Sequence, residues 1–115
     1  MSKIKELTQR LIDFREVRNW KQFHSPKNLA ESISIEANEL LEHFQWLDLE
    51  ESKRYSVEHK QELAEEIADV LNYLVLLAHD LDIDLIEAAI KKIEINNKKY
   101  PIKKSKGIST KYNRL

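Results

Sequence analysis

Apolar residues recur every three or four positions along most of this chain of 115 residues, the spacing of helices that bury one face. Ile4, Leu7, Leu11, Phe14 and Val17 predict a first helix over about 2–19. A second opens at Ser25 and Pro26, a capping residue followed by a proline suited to the first helical position, and continues to about Trp46. A polar connection, LDLEESKRYS, follows. The third helix is predicted over about 57–81 and contains IADVLNYLVLLA. It is apolar almost all the way round, as in a helix central to a bundle or buried between subunits. The fourth opens at Asp84, with Glu87 completing a capping box, and ends near Tyr100 and Pro101. Residues 102–115 show no periodicity and read as an extended tail. The pattern predicts one all-α domain over 1–115, a bundle of about four helices.

The two middle helices break their own rule. Leu29, Ile33, Ala37, Leu40 and Phe44 form the apolar stripe of the second helix, yet at about 100° per residue Glu36 falls inside its edge. Glu39 and His43 lie just beyond. On the third helix Leu63, Ile67, Val70, Leu74 and Leu77 form the stripe, and Glu62, Glu66, Asp69 and Tyr73 run along its flank. If the two helices pack antiparallel, Glu36 and Glu39 converge with Glu66 and Asp69. Grouped carboxylates repel, and burial adds to the cost. A divalent cation removes both penalties, and an all-oxygen ligand set suits Mg²⁺, with Mn²⁺ as a substitute. The alternative is that these acids are salt-bridged or sit at a solvated edge.

Composition narrows the chemistry. The chain has 42% hydrophobic and 34% charged residues, one Gly, two Pro and no Cys. All-β architecture, disulfides and thiolate metal sites are thereby disfavoured or excluded. No apolar run reaches the ~18–20 residues of a membrane span, and MSKIKELTQR lacks a signal-peptide core, so a cytoplasmic location is expected. DLDID at 80–84 begins like a calcium loop, but the sixth and twelfth positions hold Leu85 and Lys91 rather than Gly and Glu. No histidine follows a glutamate by three residues, which removes a di-iron bundle. The net charge of −1 conceals an asymmetry: residues 91–115 carry nine basic side chains against Glu94 alone. Such a tail can meet the phosphates of a small ligand, bind nucleic acid or simply be solvated.

Trp20, Phe23 and His24 precede the second helix and Trp46 ends it, so aromatics flank the acids at both ends, as a base-stacking slot or as ordinary packing. Tyr73 lies one turn beyond Asp69. Lys92, Asn96 and Tyr100 share one face of the fourth helix, offering a phosphate donor and an amide able to read a base or sugar hydroxyl.

EANE (36–39) followed by EIAD (66–69) resembles the ExxE…ExxD signature of the MazG-like nucleotide pyrophosphohydrolases. WKQFHSPKNL, EANELLEHFQW, EEIADVLNYLVLLA, KKIEINNKKYP and SKGISTKY are similar, in order, to blocks of that family's dCTP pyrophosphatase-like branch. The resemblance covers roughly residues 14–112. It implies an all-α enzyme in which Glu36, Glu39, Glu66 and Asp69 hold Mg²⁺, and Glu39 orients or deprotonates the attacking water. A nucleoside triphosphate, dCTP or a modified relative, would then give the monophosphate and pyrophosphate, clearing unwanted nucleotides. It also implies that Trp20, His24, Trp46, Tyr73, Asn96 and Tyr100 contact base and sugar, while Lys92, with Lys103, Lys104 or Lys111, meets phosphate. The assembly expected is a homodimer or homotetramer, with no membrane or nucleic-acid partner. The competing expectation is a non-catalytic helical module for oligomerisation or partner binding, with salt-bridged acids.

Overall fold

The computed structural model describes residues 1–115 and contains six helices and no strand. α1 is Lys3–Val17, α2 Pro26–Glu42, α3 Leu49–Glu58, α4 Lys60–Asp80, α5 Leu85–Lys99 and α6 Ile102–Ser105. Short 3-10 turns occupy Lys21–Phe23 and Tyr112–Arg114. The chain forms two compact units, Met1–Asp82 and Ile83–Leu115.

Local signals set most of the helix ends. The Ser25 hydroxyl accepts from the Asn28 backbone N–H at 3.1 Å, with Pro26 inside the first turn of α2; a proline there forfeits no intrahelical bond. Asp84 accepts from the Glu87 N–H at 3.1 Å to start α5. α1 and α4 are each followed by a residue in the left-handed region, Asn19 at φ 53° and Asp82 at φ 55°, a conformation that Asn and Asp tolerate better than most side chains.

Three expectations need correction. The polar connection is itself helical. Asp48 caps α3 by accepting from the Glu51 N–H at 2.8 Å, and Glu50 and Glu51 sit where the helix dipole favours negative charge. The following helix consequently starts at Lys60 rather than Val57. α2 ends at Glu42, not Trp46, because residues 43–46 turn to lead into α3: the Phe44 N–H bonds the Leu41 carbonyl and the Leu47 N–H bonds that of Phe44. The basic tail is also not simply extended. Pro101 starts α6, Gly107 reverses the chain at φ 81°, and Tyr112 packs edge-on against Tyr100 with ring centroids 5.9 Å apart.

In the first unit α4 is the central element, and α2 packs most extensively against it. His24, just ahead of α2, meets Tyr73, while His43, at the other end, meets Glu66 nearer the start of α4. The two helices therefore run antiparallel. Leu29, Leu63, Val75, Leu76 and Ala78 are buried. The stripe read for α4 is only partly covered: its Ile67 and Leu74 are 56% and 37% exposed, and Leu71 beside it is 42% exposed, the three sharing one face at i, i+4, i+7.

A charged pair closes the far end of this unit. The Arg15 guanidinium on α1 donates through both terminal nitrogens to the Asp80 carboxylate on α4, at 2.7 and 2.8 Å. Both side chains are largely buried, and Lys21 Nζ adds a second positive group 3.6 Å from Asp80. This bond holds the Asp80 carboxyl below its usual range, and Arg15 rises in turn.

Candidate active site

The antiparallel register brings carboxylates from α2 and α4 together. Glu36 and Glu39 are one turn apart on α2, Glu66 faces them from α4, and each offers an oxygen within 4.8 Å of the other two. One oxygen each of Glu36 and Glu66 is buried with no hydrogen-bond partner. Asp69, one turn along α4 from Glu66, stands outside this trio but close enough to repel it electrostatically.

The strain shows in protonation. Burial comes first, then hydrogen bonding and repulsion from Glu39, with Asp69 and Glu66 adding more; together they push Glu36 up to about 7. Burial and then Glu39 also raise Glu66, while His43 pulls it the other way. No Lys or Arg lies within 4.0 Å of any of the four acids; the ion pairs of this chain involve other groups, apart from His43 near Glu66. The salt-bridged alternative thus has only His43 as a basic partner here. A divalent cation fits the site: the donors are hard oxygens, two are orphaned, and the charge is unneutralised.

The sign of the pH effect follows. Without a cation the folded chain keeps the Glu36 proton to about pH 7, whereas the unfolded chain releases it near the ordinary value of 4.5. Stability from this group is therefore complete below that ordinary value and lost as pH rises through about 7. With chelator present, the melting temperature of the wild type relative to Glu36→Gln should fall between about pH 5 and about pH 8. A constant difference would show that Glu36 is not perturbed.

Beside Asp69 opens a cavity of about 520 Å³ between α1, the 3-10 turn and α4, within the range of small-molecule sites. Trp20, His24 and Tyr73 line it with Asp69, against an apolar wall that includes Leu7, Leu11 and Phe14. His24 and Tyr73 meet edge to face at 6.4 Å, as do Phe14 and Trp20 at 5.7 Å. Burial, and then the nearby Arg15 charge, lower the His24 pKa, so its ring is neutral near pH 7; its Nδ1 is buried without a partner. Arg10 and Asn72 also line the cavity and went unread in the sequence. The wall residues of α1 were visible as a helical stripe, but periodicity does not say that a stripe faces a hollow.

Other candidates lie elsewhere. Trp46 sits on the turn after α2, 85% exposed and not among the cavity residues. Lys92, Asn96 and Tyr100 belong to α5 and its end, in the second unit, as Lys103, Lys104 and Lys111 do to the segment beyond it. There the Lys99 ammonium stands 4.7 Å over the Tyr112 ring. His43 and Tyr55 are a further pair: His43 Nδ1 lies 2.6 Å from the Tyr55 hydroxyl. No helix of the chain is long and apolar enough to cross a membrane.

Known proteins share this arrangement of helices. The MazG-like family profile matches residues 31–115. The dCTP pyrophosphatase 1 of Bos taurus is 39% identical over 105 residues, and that of Homo sapiens 40% over the same length. Each match covers 90% of this chain but 62% of the mammalian protein, so the chain spans less than two thirds of those relatives. The crystal structure of a pyrophosphatase from Archaeoglobus fulgidus superposes with a TM-score of 0.84 at 47% identity, covering 88% of this chain and 94% of that one.

Proposed function

This chain belongs to the MazG-like family, and from that premise we propose that it is a Mg²⁺-dependent nucleoside triphosphate pyrophosphohydrolase. Its substrate is dCTP or a modified dCTP, cleaved to the monophosphate and pyrophosphate as a step in clearing unwanted nucleotides. One observation carries the reading: Glu36, Glu39 and Glu66 converge, Glu36 and Glu66 each with a buried, unpartnered oxygen and with no Lys or Arg beside them, next to a cavity of nucleoside size. The named relatives, dCTP pyrophosphatases and a pyrophosphatase, support it.

Glu36, Glu39, Glu66 and Asp69 would hold the cation. When bound, such an ion clamps phosphate oxygens, offsets the charge of the leaving pyrophosphate and makes water a better nucleophile at neutral pH. The rest is done by the chain. Glu39 orients the attacking water and takes its proton, since the carboxylate is an acceptor placed among the phosphate-facing groups. Asp69 belongs both to the acidic group and to the cavity wall, so it fixes the distance between phosphate and base. Trp20 and Tyr73 supply aromatic faces, and neutral His24 offers a hydrogen-bonding edge. The apolar wall of α1 keeps water from the base. Asn96, Tyr100 and Trp46 are assigned to base and sugar, and Lys92 to phosphate, on the resemblance alone.

Incubation with each deoxynucleoside and ribonucleoside triphosphate plus Mg²⁺, with products separated by chromatography, tests the reading. dCTP should yield dCMP and pyrophosphate. Orthophosphate as the product, or no turnover of any nucleotide, would overturn it.

The assembly is proposed to be a homodimer or homotetramer. The uncovered face of α4 supports this, because Ile67, Leu71 and Leu74 make a contiguous apolar strip of the kind that marks contact surfaces. Light scattering behind gel filtration should give a multiple of 13.6 kDa, and Leu71→Glu should shift the mass to one chain. A wild type that elutes as a monomer would refute the assembly.

A further inference from the structure

His43 and Tyr55 are joined by the shortest side-chain contact near the acidic group, yet the proposed reaction uses neither. His43 closes α2 and is largely covered, at 19% side-chain exposure. Its Nδ1 is 2.6 Å from the Tyr55 hydroxyl, and its Nε2 is 4.0 Å from Glu66 Oε1. Tyr55 is itself fixed. Its ring stacks on His59 at 4.0 Å and 16°, and meets Phe44 edge to face at 5.8 Å. α3 thus carries a tyrosine braced on two sides and pointed at one histidine.

The contact with Tyr55 leaves a ring proton on Nε2. A neutral ring whose Nδ1 accepts from the Tyr55 hydroxyl carries it there, and so does a protonated ring, which bears one on each nitrogen. That N–H belongs to the nitrogen nearest Glu66. The 4.0 Å separation is longer than a hydrogen bond but within ion-pair range. Glu66 then has two unlike oxygens. Oε1 faces the imidazole, whereas Oε2 is the buried atom with no partner on the protein.

We propose that His43, held by Tyr55, is a positioning residue that turns Glu66 so that one oxygen is left for the cation. The inference rests on the cation site proposed above. Groups behind a metal ligand that fix its orientation typically change metal affinity about 10–100-fold when removed.

Mn²⁺ binding to the full chain without nucleotide, followed by electron paramagnetic resonance, tests the proposal with three variants. His43→Leu keeps bulk and removes the donor. Tyr55→Phe removes only the hydroxyl. His43→Gln supplies an amide N–H near the place of Nε2. His43→Leu should weaken Mn²⁺ about tenfold or more, Tyr55→Phe should weaken it in the same direction, and His43→Gln should stay within about threefold of wild type. Turnover by His43→Leu should regain its rate at high Mg²⁺ while KM for nucleotide changes little. A packing role would instead favour leucine over glutamine and leave Tyr55→Phe unaffected. Wild-type Mn²⁺ affinity in both His43→Leu and Tyr55→Phe, or equal loss in His43→Leu and His43→Gln, would overturn the assignment while leaving the cation site intact. A wild type that does not bind Mn²⁺ would remove the cation site and this inference together.

Discussion

Glu39→Gln should lower the rate of nucleotide cleavage by about 10³-fold or more, which corresponds to several kcal/mol of lost transition-state stabilisation. The substitution conserves shape, so helical content by circular dichroism should be unchanged. It removes a negative charge from a group that already repels itself, and the cation-free protein should melt no lower than wild type. Loss of activity without loss of stability is the signature of a functional carboxylate. Asp69→Asn should behave in the same way for a different reason. Asp69 stands outside the trio of closest oxygens but lines the cavity, so its loss should uncouple phosphate placement from base placement and raise KM as well as lower kcat. If either variant turns over at near wild-type rates, the roles given to these side chains are wrong.

The second large effect concerns the frame of the site. Asp80→Ala should cost about 3–5 kcal/mol of folding stability, because it leaves the buried Arg15 guanidinium without its partner. The two bonds of 2.7 and 2.8 Å tie α1 to the end of α4, and Arg15 also lines the cavity. Loosening this joint should therefore raise KM for nucleotide in whatever fraction stays folded. The double variant Arg15→Met with Asp80→Leu should recover most of the stability, since a buried ion pair replaced by apolar groups is often close to neutral. The pH dependence has the sign opposite to that of Glu36. Asp80 is depressed, so its contribution is complete above the ordinary carboxylate range and lost as pH falls through its lowered value. Urea unfolding of the three proteins measures all of this. A loss below about 1 kcal/mol for Asp80→Ala would show that the pair is solvated and incidental.

How much of this was written in the sequence depends on which signal each element carries. The all-helical architecture was plain from period and caps. Ser25 with Pro26 and Asp84 with Glu87 mark real starts, and Leu7, Leu11 and Phe14 of the α1 stripe do share the cavity wall, whereas Val17 is exposed. α3 escaped because a helix is easiest to read from a row of apolar residues. Leu49 and Val57 are exposed, and Tyr55 alone anchors the inner side. Its cap at Asp48 was visible, but a cap without a stripe does not announce a helix.

The same distinction governs the site. Glu36 at the edge of an apolar sector conflicts with ordinary burial, and that conflict is legible in one dimension. The meeting of Glu36, Glu39 and Glu66 is a consequence of antiparallel packing that the register allowed but did not require. The cavity was hidden because it needs α1, the 3-10 turn and α4 at once, and no single stretch encodes a hollow. The contact between His43 and Tyr55 was hidden more deeply. It joins one helix to another that the pattern did not reveal, and it depends on the chain leaving helical geometry after Glu42.

The central claim is that carboxylates of α2 and α4 are tolerated together because they share a divalent cation. The most direct measurement is anomalous diffraction from crystals grown with Mn²⁺. A peak between Glu36, Glu39 and Glu66, with Asp69 drawn toward it, is the predicted result. A map with no peak there, or with the four side chains turned apart toward solvent, would contradict the account.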